Sequence, residues 1–215
     1  MARATKEEAL ETRNRILDAA EDIFHAQGVS RTSLADVADR ANVSRGAIYW
    51  HFKNKSDLFD AMCERVRLPM EEMAAPALDE RQADPLGQLR RTCLFVLEQV
   101  MHNSHSRKVL GIVFHKCEYV EAAGTIVERQ QEVFLRGRRH IEGSLRNAVA
   151  KGQLPSDLDT ALAALMFQAQ LDGLINTALF TPDGGGVERH AERLIDAAID
   201  TLRSAPSLRC ERRIP

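Results

Sequence analysis

Apolar positions along this chain recur with helical spacing. From Lys6 to Gln27, Ile16, Ala20, Ile23 and Phe24 form one stripe, and Gly28 stops it. Leu34, Val37, Ala38 and Ala41 fall at i, i+3, i+4 and i+7, a second, shorter stripe. Thr32 or Ser33 stands at its N-cap, and Asn42 stands where a left-handed residue ends a helix. After Val43 in the turn, Ser44 caps a further helix running from Arg45 to about Phe52, with Ile48 and Phe52 inward. Ser56 caps the next, whose apolar face is Leu58, Phe59, Met62 and Val66.

Pro69, Pro76 and the polar run Asp79–Asp84 interrupt the pattern and mark a boundary. Asp84-Pro85, a capping acid followed by proline at the first helical position, restarts it over Leu86–Met101. His102–Ser106 reads as a break, followed by a short helix from about Arg107 to Glu118. A long polar-rich helix spans Glu121–Ala150, and Gly152 ends it. Asp157–Phe180 is the most apolar helix, TPDGGG at Thr181–Gly186 a mobile loop, and Val187–Leu202 a final amphipathic helix. Residues 1–5 read as a loose arm and Ala205–Pro215 as a tail without a packing signal. The expected fold is all-α, with about nine helices and no sheet.

Composition narrows the class. Apolar residues make 44% and charged residues 28%, a soluble globular balance, and aromatics at 5% give strands little support. With no long apolar run and no signal-peptide core in MARATKEEALETR, the expected location is the cytoplasm. The cysteines Cys63, Cys93, Cys117 and Cys210 are scattered without a CxxC, as free thiols in a reducing compartment are. A net charge of −2 argues against a protein that coats nucleic acid indiscriminately but permits a local basic face. Arg40, Arg45, Lys53 and Lys55 supply one, with no acid between Arg40 and Lys55.

The stretch Arg31–Lys55 reads as a helix-turn-helix, whose second helix enters the major groove of DNA. Gly46 and Ala47 allow close approach, and Arg45 can fork onto a guanine or a phosphate. Tyr49, His51 and Lys55 are donors placed to straddle the sugar–phosphate backbone. Thr32, Ser33, Ser44 and Trp50 complete the expected DNA-facing set. The plainer alternative is a helical hairpin with a solvated basic face.

Gly46–Lys55 (GAIYWHFKNK), followed by Leu58 and Phe59, resembles the DNA-binding domain of TetR-family transcriptional regulators. The resemblance implies an all-α homodimer on operator DNA. Residues 1–55 would bind DNA and 56–215 would bind an effector and dimerise, with 56–69 as the linking helix and 205–215 as the tail. The last two helices, with more apolar surface than a small domain covers, would form the dimer's four-helix bundle; the alternative is that these faces are simply monomer core. Asp84–Gly87 (DPLG), His115–Glu118 (HKCE), Gly152–Pro155 (GQLP) and Asp172–Ile175 (DGLI) look like the AcrR/TtgR-type repressors of multidrug efflux pumps.

That second resemblance implies a small apolar or aromatic effector. Val66, Val96, Leu110, Phe114, His115 and Ile141 are candidates to line its pocket, joined by Phe167, Gln168, Leu171, Asp172 and Ile175 from the apolar helix. An alternative reading makes Gln168, Asp172 and Asn176 (i, i+4, i+8) a solvated or dimer-facing stripe.

Other classes have less support. His102, His105, His115, Cys117 and Glu118 match no closed tetrahedral zinc spacing, so no metal or other cofactor is expected. No nucleophile elbow, phosphate loop or dinucleotide fingerprint marks an enzyme. Two alternatives stay open: a TetR-type regulator answering to a specific metabolite, and a small-molecule-binding or enzymatic domain with a vestigial helix-turn-helix.

Overall fold

The computed structural model describes residues 5–117 and 124–210. Among them are nine α-helices and no strand: α1 (Lys6–Gln27), α2 (Leu34–Arg40), α3 (Arg45–His51), α4 (Lys55–Ala74), α5 (Pro85–His102), α6 (Ser104–His115), α7 (Gly124–Ala150), α8 (Thr160–Phe180) and α9 (Val187–Ser204). They form two compact units, one of Met1–Arg67 with Ser104–Gln130, the other of Leu68–Asn103 with Gln131–Pro215. Glu118, Glu121 and the arm before Thr5 lie outside the described residues, as do 211–215.

In the first unit, Ile16, Leu17, Ala20 and Phe24 of α1 are buried, as are Leu34, Val37 and Ala38 of α2, Ile48 of α3, and Phe52. Leu58, Phe59 and Met62 of α4 are fully buried too, and the rings of Phe24 and Phe59 lie 6.2 Å apart. Caps set the helix limits. Ser33 Oγ accepts from the Asp36 amide while Asp36 accepts from the Ser33 amide, a reciprocal box that ties down both orphan donors. Asn42 adopts φ 52° at the end of α2, the left-handed turn expected of it. Ser44 Oγ accepts from the Ala47 amide at 3.1 Å and starts α3.

Several expectations are corrected. Asn54, not Ser56, receives the Asp57 amide (2.8 Å) at the start of α4. Pro69 lies inside α4, which runs on to Ala74. Only Asn103 separates α5 from α6, in place of a five-residue break.

In the second unit, α5 packs on α8 and α9, and α8 on α9. Asp84 caps α5 through the Gly87 amide (2.9 Å), and a Cβ on Gly87 would collide with that carboxylate. Gln153 reaches back from the turn after α7, accepting from the Leu86 amide (3.0 Å) and donating to Asp84 (2.8 Å). TPDGGG is a built turn: Gly184, Gly185 and Gly186 all take left-handed φ, and Gly184 is buried against Met101. The tail docks as far as Cys210. Asp159 donates to the Leu208 carbonyl (2.9 Å) and Cys210 to the Asp157 carbonyl (2.8 Å), bonds no sequence periodicity announces.

Candidate functional site

α3 presents a bare, aromatic face. Tyr49 is 60% and Trp50 72% exposed, and Arg45 and Gly46 are exposed beside them. Adjacent large rings left in water make this face a candidate contact surface. A Cβ on Gly46 would meet nothing nearer than Ser44 Oγ at 3.8 Å, so no contact inside the chain requires glycine there. Glycine lowers the helix propensity of α3 by up to about 1 kcal/mol relative to alanine, for a surface on which backbone can be approached closely. The His51 ring stands edge-on to Trp50 at 4.5 Å. Burial, with help from Arg13, pushes its pKa down, so it faces outward neutral near pH 7, with one donor and one acceptor.

The basic face is smaller than the residue count implies. Arg40 pairs with Asp22 at 3.0 Å. Lys55 Nζ donates to three carbonyls of the α1–α2 connection: Val29 (2.8 Å), Ser30 (3.1 Å) and Thr32 (3.0 Å). An ammonium has three donors, and all are in use. Thr32 is likewise internal: its side chain is buried and its hydroxyl donates to the Gly28 carbonyl at 2.8 Å. Ser33 and Ser44 are occupied by capping. Among the described residues of this face Arg45 and Lys53 remain as cations without an ion-pair partner, and Arg45, Gly46, Ala47, Tyr49, Trp50 and His51 form the accessible set.

The effector candidates divide between the units. Val66, Leu110, Phe114 and His115 belong to the first, with Val66 buried and His115 exposed. Val96, Ile141, Phe167, Gln168, Leu171, Asp172 and Ile175 belong to the second. The stripe of Gln168, Asp172 and Asn176 is not uniform. Gln168 is 6% exposed, Asp172 half-buried and Asn176 exposed. Gln168 Nε2 donates to the Phe134 carbonyl of α7 (3.1 Å), while its buried Oε1 has no partner. Burial pushes the Asp172 carboxyl up to about 6, and it too has no partner among the described residues. Each unmet acceptor of this kind costs about 1–3 kcal/mol.

Residues 16–62 match the model of bacterial regulatory proteins of the TetR family, and residues 84–204 that of the MAATS-type transcriptional repressor C-terminal region. The chain belongs to the TetR family. It is 40% identical over 209 residues to the HTH-type transcriptional regulator TtgR of Pseudomonas putida, covering 97% of this chain and 100% of that one. It is similar to the structure of MexZ, a key repressor responsible for antibiotic resistance in Pseudomonas aeruginosa, with 36% identity, TM-score 0.76, and 93% and 98% of the two chains covered. A complex of SmeT, the repressor of the Stenotrophomonas maltophilia multidrug efflux pump SmeDEF, with triclosan matches at 30% identity, TM-score 0.83, covering 94% and 96%.

In this TetR-family chain, three of the four short motifs hold the architecture. DPLG and GQLP meet in the Asp84–Gln153–Leu86 staple. HKCE ends α6, where the Lys116 carbonyl accepts from the Val29 amide at 3.3 Å. The histidines do not gather: His102 faces Glu188 (3.4 Å) in the second unit, while His105 bonds Glu21 (2.6 Å) in the first. Asp18, Glu21 and His105 do come within metal-ligand distance of one another. The Arg65 guanidinium already bonds Asp18 (2.6 Å) and Glu21 and reaches His105 (3.4 Å), so a cation stands in that cluster. Sequence reading missed this network because its members come from α1, α4 and α6.

Proposed function

We propose that the protein is a dimeric operator-binding repressor of a multidrug efflux operon, released from DNA by apolar aromatic compounds in the cytoplasm. The observation that carries the DNA-binding half is the α3 face, where a glycine that the fold does not need sits among Arg45, Tyr49 and Trp50. The efflux half rests on full-length similarity to TtgR and on SmeT, a pump repressor whose structure holds triclosan. Residues 1–55 form the DNA-binding part and residues 56–215 the effector and dimer part.

An exposed apolar stripe supports dimerisation. Leu162, Leu165 and Phe180 share one face of α8, Phe180 following Leu162 by about five turns, and Leu194 is exposed on α9. Two-fold symmetry would set two α3 helices at the half-site spacing of a helix-turn-helix operator.

Fluorescence anisotropy with DNA from upstream of the gene and its neighbours, at physiological salt, tests the reading. Saturable binding reversed by planar aromatic antibiotics or phenolics is expected. Binding that such compounds leave intact, but a metabolite reverses, favours a metabolite-responsive regulator. Absence of specific binding overturns the regulator reading. Leu162→Glu with Leu165→Glu is expected to yield monomers in sedimentation, with loss of operator binding.

A further inference from the structure

Arg13 of α1 lies outside the helix-turn-helix, yet the fold sets it beside α3. Its guanidinium stands over the ring of Phe52, 5.3 Å from the centroid, and Phe52 is the buried residue that ends α3. The cation is felt at His51 as well: after burial, the charge of Arg13 is the second influence that keeps this imidazole neutral. Arg13 itself is half-buried and has no carboxylate partner among the described residues. Its neighbours one turn away along α1 are Ala9, Leu10, Ile16 and Leu17, so its own helix face offers no acid. Other arginines of this unit differ, since Arg40 meets Asp22 and Arg65 meets Asp18 and Glu21.

A guanidinium stacks through its faces and donates through its edge. Phe52 takes one face, and none of the five N–H donors has an acceptor among the described residues. A cation held on an aromatic ring with its donors unspent is prepared for an anion that accepts two bonds at once, as a phosphate does. Its place at the C-terminal end of α3 favours the DNA backbone over a base edge, because a recognition helix reads bases with its N-terminal residues.

We propose that Arg13 is a phosphate ligand of the operator, so that α1 forms a second wall of the DNA-binding face beside α3. The proposal rests on the DNA-binding reading above and adds a contact outside the helix-turn-helix. It supplies a cation to a face on which Arg40 and Lys55 are already engaged. A phosphate is the same at every step of the duplex, so Arg13 adds affinity for any sequence and a preference for none.

Anisotropy titrations from about 50 to about 200 mM salt test the contact, with the duplex from upstream of the gene and a scrambled duplex of equal length. Arg13→Met keeps an unbranched side chain against Phe52 but removes the charge and the donors. It is expected to weaken binding of both duplexes by a similar factor, at least about tenfold, and to flatten the log–log salt slope by about 0.9 per protomer. Arg13→Lys should keep the slope. Methylphosphonate at successive positions of the upstream duplex neutralises one phosphate at a time. One such position should weaken the wild type and leave Arg13→Met unaffected. A wild-type slope in folded Arg13→Met, or equal sensitivity of both proteins to every methylphosphonate, overturns the contact and leaves Arg13 as a brace between α1 and α3. A loss confined to the upstream duplex overturns it too, since that is the mark of base reading. Where Arg13→Met fails to fold, as circular dichroism reports, Arg13→Gln carries the same expectations. Absence of any binding by the wild-type protein overturns the DNA-binding reading and the contact with it, a result distinct from all of these.

Discussion

Replacing Lys55 by methionine removes the ammonium and keeps the aliphatic stem, isolating the three bonds to Val29, Ser30 and Thr32. The Ser30 carbonyl is exposed and regains water, so little is lost there. The bonds to Val29 and Thr32 are partly buried and charge-assisted, worth about 1.5 kcal/mol each at the lower end, about 3 kcal/mol together. Lys55 is also the first residue of α4, where a cation opposes the helix dipole by up to about 1 kcal/mol, and its removal returns that amount. The net expectation is a loss of about 2 kcal/mol, or a fall in melting temperature of about 4–8 °C for a chain of this size.

Operator affinity should fall because the connection that carries the Ser33 cap loosens, yet its salt dependence should stay as in the wild type. A phosphate contact would behave otherwise: its removal lowers the log–log salt slope by about 0.9 per protomer and leaves stability alone. Calorimetry beside anisotropy from about 50 to about 200 mM salt separates the two. A flattened slope with unchanged melting would refute the clamp and return Lys55 to the DNA backbone.

Gly46→Ala should keep or raise stability, by up to about 1 kcal/mol, while weakening operator binding; unchanged affinity would show that nothing approaches α3 closely. Asp172 titrates at about 6 in the folded chain against 3.8 otherwise, so the native state holds the extra proton between those values. Its effect on stability is therefore to lower it as pH rises from about 4 through about 6, and Asp172→Asn should flatten that stretch. After allowance for partial exposure the variant should be about 1–2 kcal/mol more stable at about pH 7 in denaturant titration. Equal midpoints at that pH would contradict the burial cost. Gly184→Ala forces a side chain onto φ 64° and within 2.5 Å of Met101 Cε, so denaturation should show a loss of about 1–3 kcal/mol. No loss would mean the turn before α9 yields freely.

Local rules made most of the fold legible. Helical periodicity placed α1, α2, α3 and α9, and capping hydroxyls or carboxylates placed the starts of α2, α3 and α5, because these signals act within one turn of chain. The exposed Tyr49 and Trp50 beside Gly46 were readable for the same reason: a short helix with Ile48 buried must turn its neighbours outward. The uneven stripe on α8 was not, because the most apolar helix has weak amphipathicity and its buried face depends on which neighbours pack against it.

The chain by itself determined an all-helical protein whose α3 turns an aromatic, basic face outward. Tertiary structure alone decided which polar groups remain available to a partner. Lys55 and Thr32 look like DNA ligands in sequence, but Lys55 is bonded into the α1–α2 connection by carbonyls more than twenty residues away, and the Thr32 hydroxyl closes on Gly28 inside that same connection. At Gln168, α7 satisfies one end of the amide and leaves the other buried and unmet. A donor or acceptor is free only after every nearer partner has been counted, and those partners are set by packing.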